Sequence, residues 1–147
     1  MVRGAHAEPG KRVLFVCTGN FYRSRFAEAL FNASAPPGWT AFSRGLDTST
    51  PRLTPVSPLV VAELARRHVD AKLEASPQPL TRRDLDAADL VVLLDDGEHR
   101  PMLASQFPGY PQANVRGWSV ADVPKVAPPL AFAAIAAQTE ALVRSLR

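Results

Sequence analysis

RVLFVCTGNFYRSRFAEALFN, Arg12 to Asn32, decides how this chain is read. VLFV is a continuous apolar run with β-branched and aromatic members, the mark of a strand buried on both faces. CTGN interrupts the run, and beyond it Phe26, Ala27, Leu30 and Phe31 recur at helical spacing between Ser24 and Asn32. The stretch predicts strand, loop, helix. A strand of that kind belongs inside a parallel sheet covered by helices.

The rest of the chain continues the alternation. After the turn SAPPG, Trp39 to Ser43 reads as a second strand ending at Gly45. Ser57 followed by Pro58 marks a helix start, with Val60, Val61, Leu64 and Ala65 as its apolar face. Thr81, three residues before Asp84, has the spacing of a capping box. Leu90 to Leu94 is the next buried strand. His99 to Gln106 reads as a helix stopped by FPGYP, and Ala113 to Gly117 as a short last strand. From Ala127 onward Phe132, Ile135, Leu142 and Leu146 give a final amphipathic helix with a basic last turn. Strands alternating with helices imply a four-stranded parallel α/β sheet with helices on both faces. The expected organisation is a flexible tail over residues 1–11 and a single domain over 12–147.

Bulk composition narrows function mainly by exclusion. A net charge of +3, with Lys and Arg scattered rather than clustered, gives no nucleic-acid footprint, although it suits an anionic substrate. No apolar run approaches the roughly 18 residues needed to span a bilayer, so no membrane partner and a cytoplasmic setting are expected. Gly4 to Lys11 is not a nucleotide loop, because five residues separate its glycines and Arg12 stands where Ser or Thr belongs. Cys17 is the only cysteine, so it is either a small buried hydrophobe or a reactive thiol.

Its neighbours favour the thiol. At a junction of strand and helix the first helical N–H groups lack intrahelical partners, and with the helix dipole they form an anion site. Those N–H groups and a nearby guanidinium hold a cysteine as thiolate, the nucleophilic form. Arg23, six residues past Cys17, supplies a planar fork for two phosphoryl oxygens. Thr18, Gly19, Asn20, Phe21 and Tyr22 lie between them and supply the cradle; Gly19 allows a close turn and Asn20 tolerates positive φ. The Ser24 hydroxyl is placed to donate to the cysteine sulfur. Singly, each residue has an ordinary structural explanation; together, C-x-x-x-x-x-R-S between a core strand and an amphipathic helix points to catalysis on a phosphoryl group.

VLFVCTGNFYRSRFAEALF resembles the N-terminal signature of low-molecular-weight protein tyrosine phosphatases, in which the Cys-to-Arg-Ser loop opens the chain. SRG at Ser43 to Gly45 and AADLVVLLDDGEH resemble later segments of that family. The resemblance implies a flavodoxin-like sheet and a two-step reaction without cofactor or metal, through a phosphocysteine on Cys17. It also implies an acid on the loop before the last helix. WSVADVPKVAPP holds only Asp122 there, which makes it the expected general acid and base, with Asp95 and Asp96 in reserve. The expected substrate is a phosphorylated protein or small phosphomonoester, with phosphotyrosine first and phosphoarginine a relative.

The chain departs from that family in several places. Val123 and Pro124 replace the aromatic pair beside the acid, leaving Phe21, Tyr22 and Trp118 as other possible ring walls. Tyr22 stands where a second, protective cysteine is frequent, and Arg25 where proline is. His68 and His99 read as surface residues. Two other functions use the same loop. One is arsenate reduction with an external small thiol, since this chain has no further cysteines for a relay; the other is a phosphate-binding module without turnover.

Overall fold

The computed structural model describes residues 10–73 and 76–147. Of the expected tail, residues 1–9 lie outside the described residues, and Lys11 already belongs to the first strand. The elements run β1 (Lys11–Cys17), α1 (Arg23–Ala33), β2 (Trp39–Gly45), α2 (Pro58–Arg66), α3 (Arg82–Ala87), β3 (Leu90–Leu93), α4 (Asp96–Gln106), β4 (Val115–Gly117) and α5 (Pro128–Ser145). The four strands form one parallel sheet in the order β2-β1-β3-β4, a flavodoxin-like arrangement.

Period-two alternation along β1 divides the core into two layers. Val13, Phe15 and Cys17 face a cluster that takes Phe26 and Phe31 from α1, Val60 and Leu64 from α2, and Phe132 and Ile135 from α5. Leu14 and Val16 face the opposite layer, with Leu85 of α3 and Leu103 of α4. Phe15, Phe26 and Phe31 are fully buried, each contributing about 1.5–3 kcal/mol of transfer free energy. The apolar runs of β1 and β3 therefore reflect a sheet covered on both faces.

Local signals set most boundaries where the residues predict them. The Ser57 side chain accepts from the Leu59 N–H ahead of Pro58, and Thr81 and Asp84 form both halves of the capping box. Two readings need correction. Only Val60 and Leu64 of α2 are buried, while Val61 is 53% exposed, because this nine-residue helix presents one narrow ridge to the sheet. Helix α4 begins three residues earlier than expected, at Asp96; Asp96 and Glu98 in its first turn suit the positive end of the helix dipole despite Gly97 and Pro101.

The strand order positions the site. From β1 the chain crosses to β2 on one side, then returns past β1 to β3 on the other. The loops leaving the carboxyl ends of β1 and β3 therefore diverge and open a crevice at this switch point. Cys17 closes β1, and the β3 to α4 turn carries Asp95 to Glu98 into the same crevice.

Candidate active site

The Cys17 to Arg23 loop is held by its carbonyls and leaves its amides available. Cys17 O and Thr18 O accept from Leu46 N (3.0 Å) and Asp47 N (2.8 Å), and Phe21 O accepts from Ser57 N (3.0 Å). Among the described residues, the N–H groups from Thr18 to Tyr22 donate to no protein acceptor. Unpaired amides gathered at a strand-to-helix junction make a cradle for an anion. Asn20 provides the turn with φ of 52°, and Gly45 lets β2 approach closely, since a Cβ there would lie 2.7 Å from Thr18 O.

Asn20 also orients the hydroxyl beside the thiol. Its Oδ1 accepts from Gln78 N at 2.8 Å, which leaves Nδ2 to donate to Ser24 Oγ and Ser43 Oγ, each at 2.9 Å. The Ser43 hydroxyl donates in turn to Glu28 Oε1 at 2.5 Å. Ser24 Oγ, accepting from Asn20 Nδ2, lies within hydrogen-bond distance of Cys17 Sγ, 3.0 Å away.

Arg23 is 1% exposed and spreads over three segments of chain. Nη1 donates to Val120 O (2.9 Å) and Glu98 Oε1 (3.0 Å), and Nη2 donates to Glu98 Oε2 (2.9 Å). Asp122 Oδ2 stands 3.6 Å from Nη2 on a half-exposed side chain. The backbone bonds Trp118 N to Leu93 O and Val120 N to Leu94 O lay the chain after β4 along the end of β3, which delivers Asp122 to this position. A cavity of about 600 Å³ opens here, lined by Asp95, Glu98, Asp122, Val123 and Lys125 among others. Asp96 is turned away, paired with Arg100 at 2.7 Å and packed over Gly117.

Several readings change on contact with the fold. His99 is fully buried, whereas His68 is exposed as expected. Arg25 is buried as well, reaching Ser76 O (3.4 Å) and Pro55 O (3.5 Å), so it ties two loops together. Tyr22 and Trp118 belong to the core, Tyr22 against Phe132 and Trp118 against Phe15. Of the expected ring walls only Phe21 is partly exposed, with the Arg52 guanidinium over its ring at 4.1 Å. No motif or spacing in the sequence marks Glu98. Its signal is positional, as an acidic residue in the first turn after a central parallel strand.

His99 links these groups. Asp95 N donates to its Nδ1 at 3.0 Å, so the ring proton of the neutral form sits on Nε2, which is 3.2 Å from both Thr18 Oγ1 and Glu98 Oε2. Burial, with the Arg23 charge, pushes the imidazole down to about 4. Burial works to raise the Glu98 carboxyl, but hydrogen bonds from Arg23 and Thr18 outweigh it and hold the group at about 2.

Both shifts make the fold acid-labile. Unfolded His99 takes up a proton below its ordinary 6.5 that the folded state refuses until about 4, so stability falls as pH drops through that window. Glu98 extends the loss from 4.5 down to about 2. Melting followed by circular dichroism should show stability falling by about 2–3 kcal/mol between pH 6.5 and 4, with the slope much flatter in His99→Gln. Equal slopes in the two proteins would refute the assignment to His99.

Fold and site together define a class: a flavodoxin-like α/β protein with a Cys-x₅-Arg loop at its first strand-to-helix junction and a carboxylate facing the loop from the last β-to-α connection. The chain belongs to the low molecular weight phosphotyrosine protein phosphatase family, whose sequence model matches residues 12–144. It is 34% identical over 99 residues to a protein-arginine-phosphatase of Bacillus subtilis, a match covering 67% of this chain and 64% of that relative's length. Among solved structures, the low molecular weight protein tyrosine phosphatase of T. tengcongensis is 30% identical with a TM-score of 0.73, covering 92% of this chain and 97% of that one. A thioredoxin-dependent arsenate reductase of Corynebacterium glutamicum is 28% identical with a TM-score of 0.73, covering 97% of this chain and 64% of that one.

Proposed function

We propose that the protein hydrolyses phosphomonoesters on protein or small-molecule substrates through a phosphocysteine on Cys17. The observation that carries this is the placement of Asp122 Oδ2 3.6 Å from the Arg23 guanidinium, at the open side of a loop whose closed side holds the thiol. The phosphoryl oxygens take the N–H groups of Thr18 to Tyr22 and the Arg23 fork. The Cys17 thiolate attacks phosphorus, the bond from phosphorus to the leaving atom breaks (an oxygen in a phosphomonoester, a nitrogen in phosphoarginine), and Asp122 gives that atom its proton. Water then attacks the phosphocysteine, Asp122 takes the water's proton, and the departing thiolate is received by the Ser24 hydroxyl. The steps balance without a metal or cofactor. A cytoplasmic setting suits a lone thiol that must stay reduced.

The substrate class follows from the wall. With Tyr22 and Trp118 in the core, Phe21 is the aromatic surface left beside the loop, while along the cavity Asp95, Glu98 and Asp122 outnumber the single cation Lys125. An acidic wall supports a phosphoryl group carried on a cation, as in phosphoarginine, at least as well as one on phosphotyrosine. The experiment is a side-by-side panel of phosphotyrosine, phosphoserine and phosphoarginine peptides, run with wild type and Asp122→Asn. Turnover of at least one peptide by wild type, with a loss of about 100-fold in Asp122→Asn, is the expected result. Tight phosphate binding with turnover of none would identify a binding module instead.

Likeness to the arsenate reductase structure favours a second reading, in which the thiolate attacks arsenic. This chain has no cysteine besides Cys17, so an external thiol would have to complete that cycle. Arsenate-dependent consumption of glutathione or another small thiol distinguishes it.

A further inference from the structure

A guanidinium carries five N–H groups in one plane, and three of those on Arg23 are taken. Nη1 gives one to Val120 O (2.9 Å) and one to Glu98 Oε1 (3.0 Å), and Nη2 gives one to Glu98 Oε2 (2.9 Å). The two left over, Nε–H and the second Nη2–H, share one edge, and among the described residues neither meets an acceptor. The Asp122 carboxylate stands 3.6 Å from Nη2, outside hydrogen-bond reach. His99 Nε2, 3.5 Å from Nη2, carries the ring proton and cannot accept. Two unused donors on a side chain 1% exposed are what an incoming anion satisfies, and their fork geometry matches two phosphoryl oxygens.

We propose that Glu98 is a positioning residue, which grips the Nη1–Nη2 edge of Arg23 and so presents the Nε–Nη2 edge to the phosphoryl group. The proposal rests on the phosphate-site reading above. Without Glu98 the guanidinium keeps one anchor, Val120 O, and a planar group held at one point can swivel about it. Glu98 is itself held in place: Oε2 accepts from the Thr18 hydroxyl and lies 3.2 Å from His99 Nε2, and its backbone belongs to the first turn of α4. Burial works against the charged form, but hydrogen bonds from Arg23 and Thr18 keep the carboxyl ionised down to about 2, so the grip persists at working pH. The charge of Glu98 acts in the opposite direction to its grip. A carboxylate this close to the cradle repels a phosphoryl dianion, so electrostatics alone predicts a better enzyme once Glu98 is neutralised, whereas loss of aim predicts a slower one.

Turnover of p-nitrophenyl phosphate by wild type, Glu98→Gln and Glu98→Ala, with each substitution repeated in an Arg23→Lys background, tests this beside melting by circular dichroism. Glu98→Gln keeps the volume but turns one oxygen into an N–H donor facing an Arg23 N–H, so the two-point grip is lost without leaving a cavity. Expected is a loss of about 10²-fold in both variants, carried by kcat, with KM changing far less. In the Arg23→Lys background the same substitutions should cost nothing further, because an ammonium has no edge to aim. A rate equal to or above wild type in Glu98→Gln overturns the positioning role and leaves only the charge. An equal fractional loss in both backgrounds overturns it as well, since Glu98 then supports the loop without acting through Arg23. Failure of wild type itself to hydrolyse the substrate overturns it together with the phosphate-site reading.

Discussion

Cys17→Ser is expected to keep the fold and lose p-nitrophenyl phosphate turnover by about 10⁴-fold or more. The residue is 3% exposed at the end of β1, and serine is slightly smaller, so packing against the loop changes little. What changes is the attacking atom. The neighbour at Sγ is the Ser24 hydroxyl, 3.0 Å away and itself accepting from Asn20; a serine at position 17 meets no base there to take its proton. The dipole and free loop amides that hold a thiolate do not make an alkoxide at neutral pH. Release of p-nitrophenol and melting by circular dichroism are the two measurements. A folded mutant that hydrolyses the substrate at the wild-type rate removes Cys17 from the mechanism.

Arg23→Lys should cost about 10³-fold in kcat/KM although the charge is conserved. The guanidinium uses two nitrogens in one plane, toward Glu98 and Val120 O, and a lysine ammonium offers one point in their place. The transition state spreads charge over oxygens that a fork can hold together, so loss of planarity falls mainly on kcat. Val120 O and Glu98 also lose donors in a buried setting, and the melting temperature should drop as well. Steady-state kinetics beside thermal melts separate the two effects. Activity within tenfold of wild type would mean that charge alone suffices and that bidentate grip has no part.

Much of the fold can be read from the residues because its signals are local. VLFV and LVVL announce strands covered on both faces, Ser57-Pro58 and Thr81 to Asp84 announce helix starts, and all four appear where expected. The loop is legible for the same reason, since Cys17, Asn20, Arg23 and Ser24 lie within one turn of chain. His99 and Arg25 show where such reading stops. Both are polar residues on helices, and only the packing of α4 and α1 against neighbouring loops buries them. Tyr22 and Trp118 show the converse: an aromatic ring beside a motif looks like a pocket wall until the core is assembled around Phe15 and Phe132.

Local chemistry in the sequence is enough to read the Cys17-to-Arg23-Ser24 loop as a strand-to-helix junction and to read the alternation of strands and helices, because each depends on neighbours a few residues apart. Asp122, 99 positions beyond Arg23, came from family resemblance, and its approach to the guanidinium only from the chain laid along β3. Glu98 and His99 required the tertiary structure outright. They reach the loop because the sheet reverses its winding between β1 and β3, and a reversal of strand order leaves no mark in the spacing of residues.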